Sequence, residues 1–491
     1  MFQAHENPSS PKPASGGQGD STTSRRAAIL VALFALTLSA AWAAQRSEAT
    51  PTPTGPVVVK ASQAGIHFSG QLDRSSVLES GDGIVKMELV LGADPREAVG
   101  GLQVPTDLVV ILDRSGSMQG EPMAHAKASV RELISQLADG DRLAVVTYSA
   151  GAELAIPLSR ANGEARERWN HAVDAIAVGG GTNMARGLDL ATQTVSGQRE
   201  AGRSVRLILL SDGHANQGDH SREGLRARAA RAIAGEYVLS TVGVGHGFDE
   251  SLMTALADAG TGNFYYVQRG GDLAKVFAGE FASARETVAS ALAVAINTAP
   301  GVQVVDAAGY PLERNGSRVL FRPGSLFAGQ ERRIWLTLRA PTDHLGELDL
   351  GDFSLAFSEA GERRVISFDS SPRLTCVRDE TDYYASMDDD AWARSVIEDE
   401  YNELKQRVSG AIQAGKEDVA KAAISSFRAK QSAINVHVKS KDVEEQLGEL
   451  RHFESEVDAA FAPSASRAAR SAASKKLQAE GYDGRRAGAK Y

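Results

Sequence analysis

Asp107-Leu-Val-Val-Ile-Leu112 runs directly into Asp113-Arg114-Ser115-Gly116-Ser117. The unbroken apolar stretch Leu108–Leu112 fits a strand covered on both faces, as in a parallel sheet flanked by helices. Just behind it, one carboxylate and two hydroxyls stand at alternating positions, which makes half of a site for a hard cation. Two downstream segments carry the remainder: Gly179-Gly180-Gly181-Thr182-Asn183, then Leu207-Ile-Leu-Leu-Ser211-Asp212-Gly213.

The residue types suit Mg²⁺, which takes about six oxygens at about 2.0–2.1 Å. Ser115, Ser117 and Thr182 supply neutral hydroxyl oxygens. Asp113 and Asp212 supply negative charge, directly or through water. Two carboxylates against one divalent ion leave it electrophilic toward one more anionic ligand, such as a Glu or Asp of a partner protein. Mn²⁺ and Ca²⁺ accept the same oxygen set. Each segment follows an apolar strand or precedes a helix, so all three can meet at the carboxyl edge of one parallel sheet, where open α/β sheets bind ligands. A Ser-Gly-Ser turn can also be a simple helix cap, and a metal can be purely structural. The ordered trio favours a binding site.

This constellation resembles a metal-ion-dependent adhesion site, the signature of von Willebrand factor type A domains. The resemblance spans about 104–284. Asp113, Ser115 and Ser117 match its first motif, Thr182 the second and Asp212 the third. It implies a Rossmann-like, doubly wound α/β domain. In that family the hydroxyl residues hold the metal directly and the acidic pair often acts through water. The continuation Met118-Gln119-Gly120 is similar to bacterial secreted members, to inter-alpha-trypsin inhibitor heavy chains and to chloride-channel-regulator homologues. Those relatives flank the A domain with β-rich segments. Residues 379–491 carry no such resemblance.

The rest of the chain reads as follows. Residues 51–103 hold a Pro/Thr linker and strand-like runs at 57–60 and 84–91, the second alternating with period two. From 104 to 284, strands alternate with helices, the first helix being Pro122–Leu137. From 285 to 378, strand-like runs return at sandwich-like spacing. The strands before 100 are too few to stand alone, so 51–103 and 285–378 are expected to form one β-sandwich with the α/β domain inserted. Residues 379–462 show helical stripes and predict a hairpin or small bundle. Residues 463–491 are rich in Ala and Ser with scattered Arg and Lys, and read as a disordered basic tail.

At the N-terminus, residues 1–50 read as a signal peptide or signal anchor. A polar, Ser/Pro/Gly-rich stretch precedes Arg25-Arg26, the uncharged run Ala27–Ala44 follows, and Ala41-Trp42-Ala43 suits a signal peptidase. The body is therefore expected outside the cytoplasm, secreted or periplasmic, or held at the membrane by this segment. The net charge of −9 argues against nucleic acid as a partner. The lone Cys376 excludes an internal disulfide and reads as a buried strand residue. His214 and His246 read as solvated loop residues. Gly243-Val244-Gly245-His246-Gly247 lacks dinucleotide-loop spacing, and the chain has no His-Glu-x-x-His, Gly-x-Ser-x-Gly or Gly-x-x-x-x-Gly-Lys motif. A metal-assisted hydrolase needs a general base beside the ion, and none is evident. The expectation is an exported adhesion-type binding module and no enzyme. The alternative is a regulatory or assembly factor for a membrane complex, with the α/β domain as recruiter and the helical tail as effector.

Overall fold

Thr106–Asp113 is buried at every position and forms the middle of a six-stranded sheet. The spatial order is Thr261–Val267, Val238–Val244, Ser204–Ser211, Thr106–Asp113, Arg142–Tyr148, Ala152–Arg160. All neighbours are parallel except the last pair, an antiparallel hairpin at the edge. Side chains alternate between two cores, as the strand period requires. Leu108, Val110 and Leu112 pack with Met123, Val130, Trp169 and Phe277 on one face. Val109 and Ile111 pack with Tyr148, Leu188, Leu225 and Leu256 on the other. The chain winds from Thr106–Asp113 to one side, then returns to its other side with Ser204–Ser211. The carboxyl ends of these two strands therefore flank the topological switch point.

The computed structural model describes residues 57–95, 104–200, 202–245, 247–268, 270–359 and 361–486. The expected signal segment, most of the Pro/Thr linker and His246 lie outside these residues. No helix among the described residues is long and apolar enough to cross a membrane.

The segments on either side of the α/β domain pair with one another. Ile84–Ala93 runs antiparallel to Glu331–Arg339, from Ile84 opposite Arg339 to Gly92 opposite Glu331. Together with Val58–Gln63, Ile66–Leu72 and Gln303–Ala307 they form one five-stranded sheet. A second, centred on Thr287–Thr298, stacks on it through Phe68, Met87, Leu89, Ile296, Phe321 and Phe353. Ile66–Leu72 is a strand that sequence reading passed over, because His67, Ser69 and Gln71 dilute its apolar positions. Cys376 is buried in the strand Arg373–Val377, and burial pushes its thiol pKa up. Beyond it, the helices Tyr401–Gln413, Glu417–Val438 and Lys441–Phe461 share a core of Leu404, Val408, Ile424, Phe427, Leu450 and Phe453.

The expectation of a disordered tail over 463–491 is corrected. Arg467–Arg485 is a helix, and the Ser466 side chain caps it by accepting from the Ala469 N–H at 3.1 Å. Its buried face mixes Ser474, Lys475, Leu477, Gly481, Tyr482 and Arg485, so no apolar stripe announces it. A Cβ at Gly481 would lie 2.6 Å from the Asn402 carbonyl oxygen, so only glycine permits this close approach. Arg467 and Arg470 at its start are exposed, but the basic residues Lys475, Arg485 and Arg486 are buried. Lys475 pairs with Glu250 at 3.2 Å, Arg485 pairs with Asp399 and Asp306, and Arg486 pairs with Asp258. Tyr482, 3% exposed, joins the α/β core and meets Phe264 edge to face at 5.9 Å. The last helix thus touches the α/β domain, the sandwich and the other helices.

A buried ion triad secures this junction. Asp399 accepts from Lys86 Nζ of the sandwich at 2.6 Å and from Arg485 Nε of the last helix at 2.7 Å. Burial alone would raise the Asp399 pKa, but Lys86 and Arg485 outweigh it and hold the carboxyl below its ordinary value.

Two outcomes are expected. Asp399→Asn leaves Lys86 and Arg485 buried without their charge partner and should cost about 3–5 kcal/mol in urea unfolding at neutral pH. The depressed folded pKa makes this contribution full above the unfolded value of about 3.9. It is lost as the pH falls through the lower folded value, so the gap between wild type and variant should close in acid. Tyr482→Ala should cost about 3 kcal/mol by the same measurement, whereas substitution in a solvated tail would be silent.

Candidate functional site

At the switch point the first and third segments meet through side chains. Asp113 ends its strand fully buried, and its Oδ1 accepts from the Ser115 N–H at 2.8 Å. Across the strand boundary, Ser211 Oγ donates to Asp113 Oδ2 at 2.8 Å. Register explains the reach: Leu112 lies opposite Leu210, so Asp113 and Ser211 emerge side by side. The Ser115 and Ser117 hydroxyls lie 3.1 Å apart, and Ser117 Oγ donates to Asp212 Oδ1 at 2.7 Å. Asp113, Ser115, Ser117 and Asp212 thus form one connected set, with Ser117 exposed as its outer member.

The second segment is docked by backbone bonds. The Gly179 N–H donates to the Arg114 carbonyl at 2.9 Å, and the Gly116 N–H to the Gly180 carbonyl at 3.2 Å. Gly180 adopts φ +86°, a conformation that L side chains avoid. Thr182 is buried; its N–H donates to Asn216 Oδ1 at 2.9 Å and its carbonyl accepts from the Asn216 N–H at 3.0 Å. Its hydroxyl takes no part in the chain of bonds that joins the other four residues. Asn183 caps the helix Met184–Ser196 and fixes where that loop ends. His214 lies exposed beyond the third segment, as expected.

The electrostatics separate this site from the rest of the molecule. Nine carboxylate residues are buried among those described, and seven of them pair with Arg or Lys: Asp73, Glu88, Asp107, Asp141, Glu250, Glu280 and Asp399. The two without a cationic partner are Asp113 and Asp212. Asp107 makes the contrast within one strand, since Arg142 Nε and Arg203 Nε reach its Oδ1 at 2.7 and 2.6 Å. Desolvation raises the Asp113 pKa, opposed by hydrogen bonds from Ser115 and Ser211. Desolvation also raises that of Asp212; the Ser117 hydroxyl opposes it and the Asp113 charge adds to it. Buried, mutually repelling carboxylates with hydroxyls between them gather oxygen donors of the kind that suit a hard cation. No group of three or more His, Cys, Asp or Glu capable of holding a metal occurs among the described residues. The oxygens gathered at the switch point are those of two acids and neighbouring hydroxyls, a set whose chemistry would fit a hard divalent ion.

Sequence reading missed Ser211, Tyr148 and Asn216. Ser211 was adjacent to a named ligand, but only the parallel register turns its hydroxyl toward Asp113. Tyr148, from the neighbouring strand, helps to lower the Asp113 pKa. Asn216 carries no motif and is recognisable only from its two bonds to Thr182.

Comparisons with known proteins agree with this geometry. The model of the von Willebrand factor type A domain family matches residues 107–279. The protein YfbK of Escherichia coli (strain K12) is 31% identical over 186 residues, 38% of this chain and 32% of that protein. The chain thus matches only about a third of that relative's length. The protein sll0103 of Synechocystis sp. is 24% identical over 301 residues, 58% of this chain and 69% of that protein. A von Willebrand factor type A structure from Catenulispora acidiphila superposes with a TM-score of 0.62 at 19% identity, covering 86% of this chain and 98% of that one. That likeness reaches beyond 107–279 and shows a shared fold.

Ser211→Ala removes a donor to a buried carboxylate and should cost about 2 kcal/mol in urea unfolding of the chelator-treated protein.

Proposed function

Residues 107–279 being a von Willebrand factor type A domain, we propose that it is a metal-ion-dependent protein-binding module and that the chain is not an enzyme. Domains of this family generally bind protein partners and commonly hold a divalent metal. Asp113, Ser115, Ser117, Thr182 and Asp212 would hold the ion, with Mg²⁺ the first choice and Mn²⁺ or Ca²⁺ compatible. When bound, the metal supplies an electrophilic position for one carboxylate of a partner's Glu or Asp. Ser115 and Ser117 hold the two acids apart while adding no charge. Ser211 orients Asp113, and Asn216 holds the Thr182 loop. Burial of Asp113 keeps competing water from that side, and exposed Ser117 leaves the approach open.

One observation carries this reading: Asp113 and Asp212 alone, among the buried acids described, lack a cationic side chain. Export rests on Arg25-Arg26 and the run Ala27–Ala44, which suit display outside the cytoplasm, free or membrane-anchored. The alternative of an assembly factor with a helical effector gains nothing from a free tail, since the last helix is packed into the body.

Calorimetric titration of Mg²⁺ into the chelator-stripped full chain should register binding in wild type and none in Asp113→Ala. Without metal the variant should be no less stable than wild type, because it loses an unpaired buried charge. Wild type alone should gain about 2.7 kcal/mol at a hundredfold excess of Mg²⁺ over Kd. An Asp113→Ala protein that holds Mg²⁺ normally would sink the assignment.

A further inference from the structure

A cleft of about 480 Å³ lies between the loop beyond Asp212 and the start of the last helix. His214 and Glu250 line it from the α/β domain, Gln413 from the helical region, and Arg467, Arg470 and Lys475 from the last helix. Its α/β wall is continuous with the candidate metal site. A Cβ at Gly213 would stand 3.2 Å from Ser117 Oγ, and one at Gly247, just ahead of Phe248 and Glu250, would stand 2.7 Å from the Asp212 carbonyl oxygen.

The charges in this cleft do not cancel. Glu250 is fully engaged, by Lys475 Nζ at 3.2 Å and Gln413 Nε2 at 3.1 Å. Lys475 is held in addition by the Phe248 carbonyl at 2.5 Å and stands 3.9 Å from the Phe248 ring centroid. This pair is buried and neutral overall, so it forms a rigid floor. Arg467 and Arg470 are exposed and make no ion pair with any of the described residues. Two free guanidinium groups therefore face a recess whose only acid is already taken. Guanidinium geometry matches carboxylates in a bidentate manner.

We infer that this cleft is the second half of the partner's docking surface. An acidic protein segment would place one carboxylate at the candidate metal site and at least one more against Arg467 and Arg470. The inference rests on the metal-bridge reading above and adds that a single acidic residue is not the whole ligand. It also gives the last helix a part in recognition, and places the partner across the junction between the α/β domain and the helices.

The test uses the full chain in Mg²⁺ with fluorescein-labelled hexaglutamate as probe, read by anisotropy. Arg467→Ala/Arg470→Ala should weaken hexaglutamate about tenfold, as expected for losing two partly exposed pairs. Alanine is favourable in a helix and both sites are exposed, so the variant should fold. Its Mg²⁺ titration should match wild type. Equal hexaglutamate affinity in wild type and the double variant, with Mg²⁺ bound in both, would overturn the cleft assignment while leaving the metal site standing. Absence of Mg²⁺ binding in wild type would instead remove the metal bridge. Hexaglutamate binding that survives chelation unchanged but is lost in the double variant would overturn the two-point arrangement.

Discussion

Complete burial of Thr106–Asp113 is the constraint on which the rest depends. A strand covered on both faces can satisfy its backbone only through neighbouring strands, and its polar side chains are confined to its two ends. At the amino end the molecule neutralises Asp107 with two arginines. At the carboxyl end it leaves Asp113 with hydroxyls and an amide. Burying a carboxylate without a counter-charge is unfavourable, and here it is done twice within one hydrogen-bonded set, where two strands diverge. Structural acids elsewhere in the protein are not treated this way. The asymmetry sets an architectural end of the strand against the end proposed to hold a cation.

A second constraint is the insertion itself. The sandwich is made from chain on both sides of the α/β domain, so Ile84–Ala93 and Glu331–Arg339 can pair only once the domain between them brings its own ends together. The last helix then crosses the junction. It meets the α/β core through Tyr482, the sandwich through Asp306, and the helical region through Ser409 and Asp399, which in turn pairs with Lys86 of the sandwich. Buried ion pairs add less stability than packed apolar groups, but losing one partner is costly. A junction built from Asp399, Lys86, Arg485, Arg486 and Asp258 is therefore well suited to fixing one arrangement of the parts. That arrangement sets the cleft beside the candidate metal site.

Much of the fold could be read from the chain alone, because long apolar runs and the helical period of about 3.6 residues report burial directly. The α/β alternation, the edge hairpin at Arg142–Arg160 and the helices at 417–438 and 441–461 are of this kind. The short strands Ser76–Leu78, Glu313–Asn315 and Gly346–Asp349 were not legible, and two longer elements were not either. Ile66–Leu72 alternates regularly, but with Gly70 at one inward position only Ile66, Phe68 and Leu72 mark its apolar face. Arg467–Arg485 buries Lys475 and Arg485 alongside Ser474, Leu477, Gly481 and Tyr482, a mixture whose composition reads as solvated. Within the site, all five expected ligand positions sit in the loops that converge at the sheet edge. The supporting groups Ser211, Tyr148 and Asn216 did not declare themselves, since serine, tyrosine and asparagine occur everywhere and acquire a role only through their neighbours.

The sequence by itself determined the identity and order of the oxygen donors and the α/β character of the domain that carries them. These depend on residue types and local period, which the chain states outright. Tertiary structure alone decided which buried acids would find a cation. Glu250, Asp258 and Asp399 are neutralised by residues more than eighty positions away, whereas Asp113 and Asp212 meet no cationic side chain among the described residues. Charge balance between distant residues depends on how whole elements pack, and no local pattern encodes it.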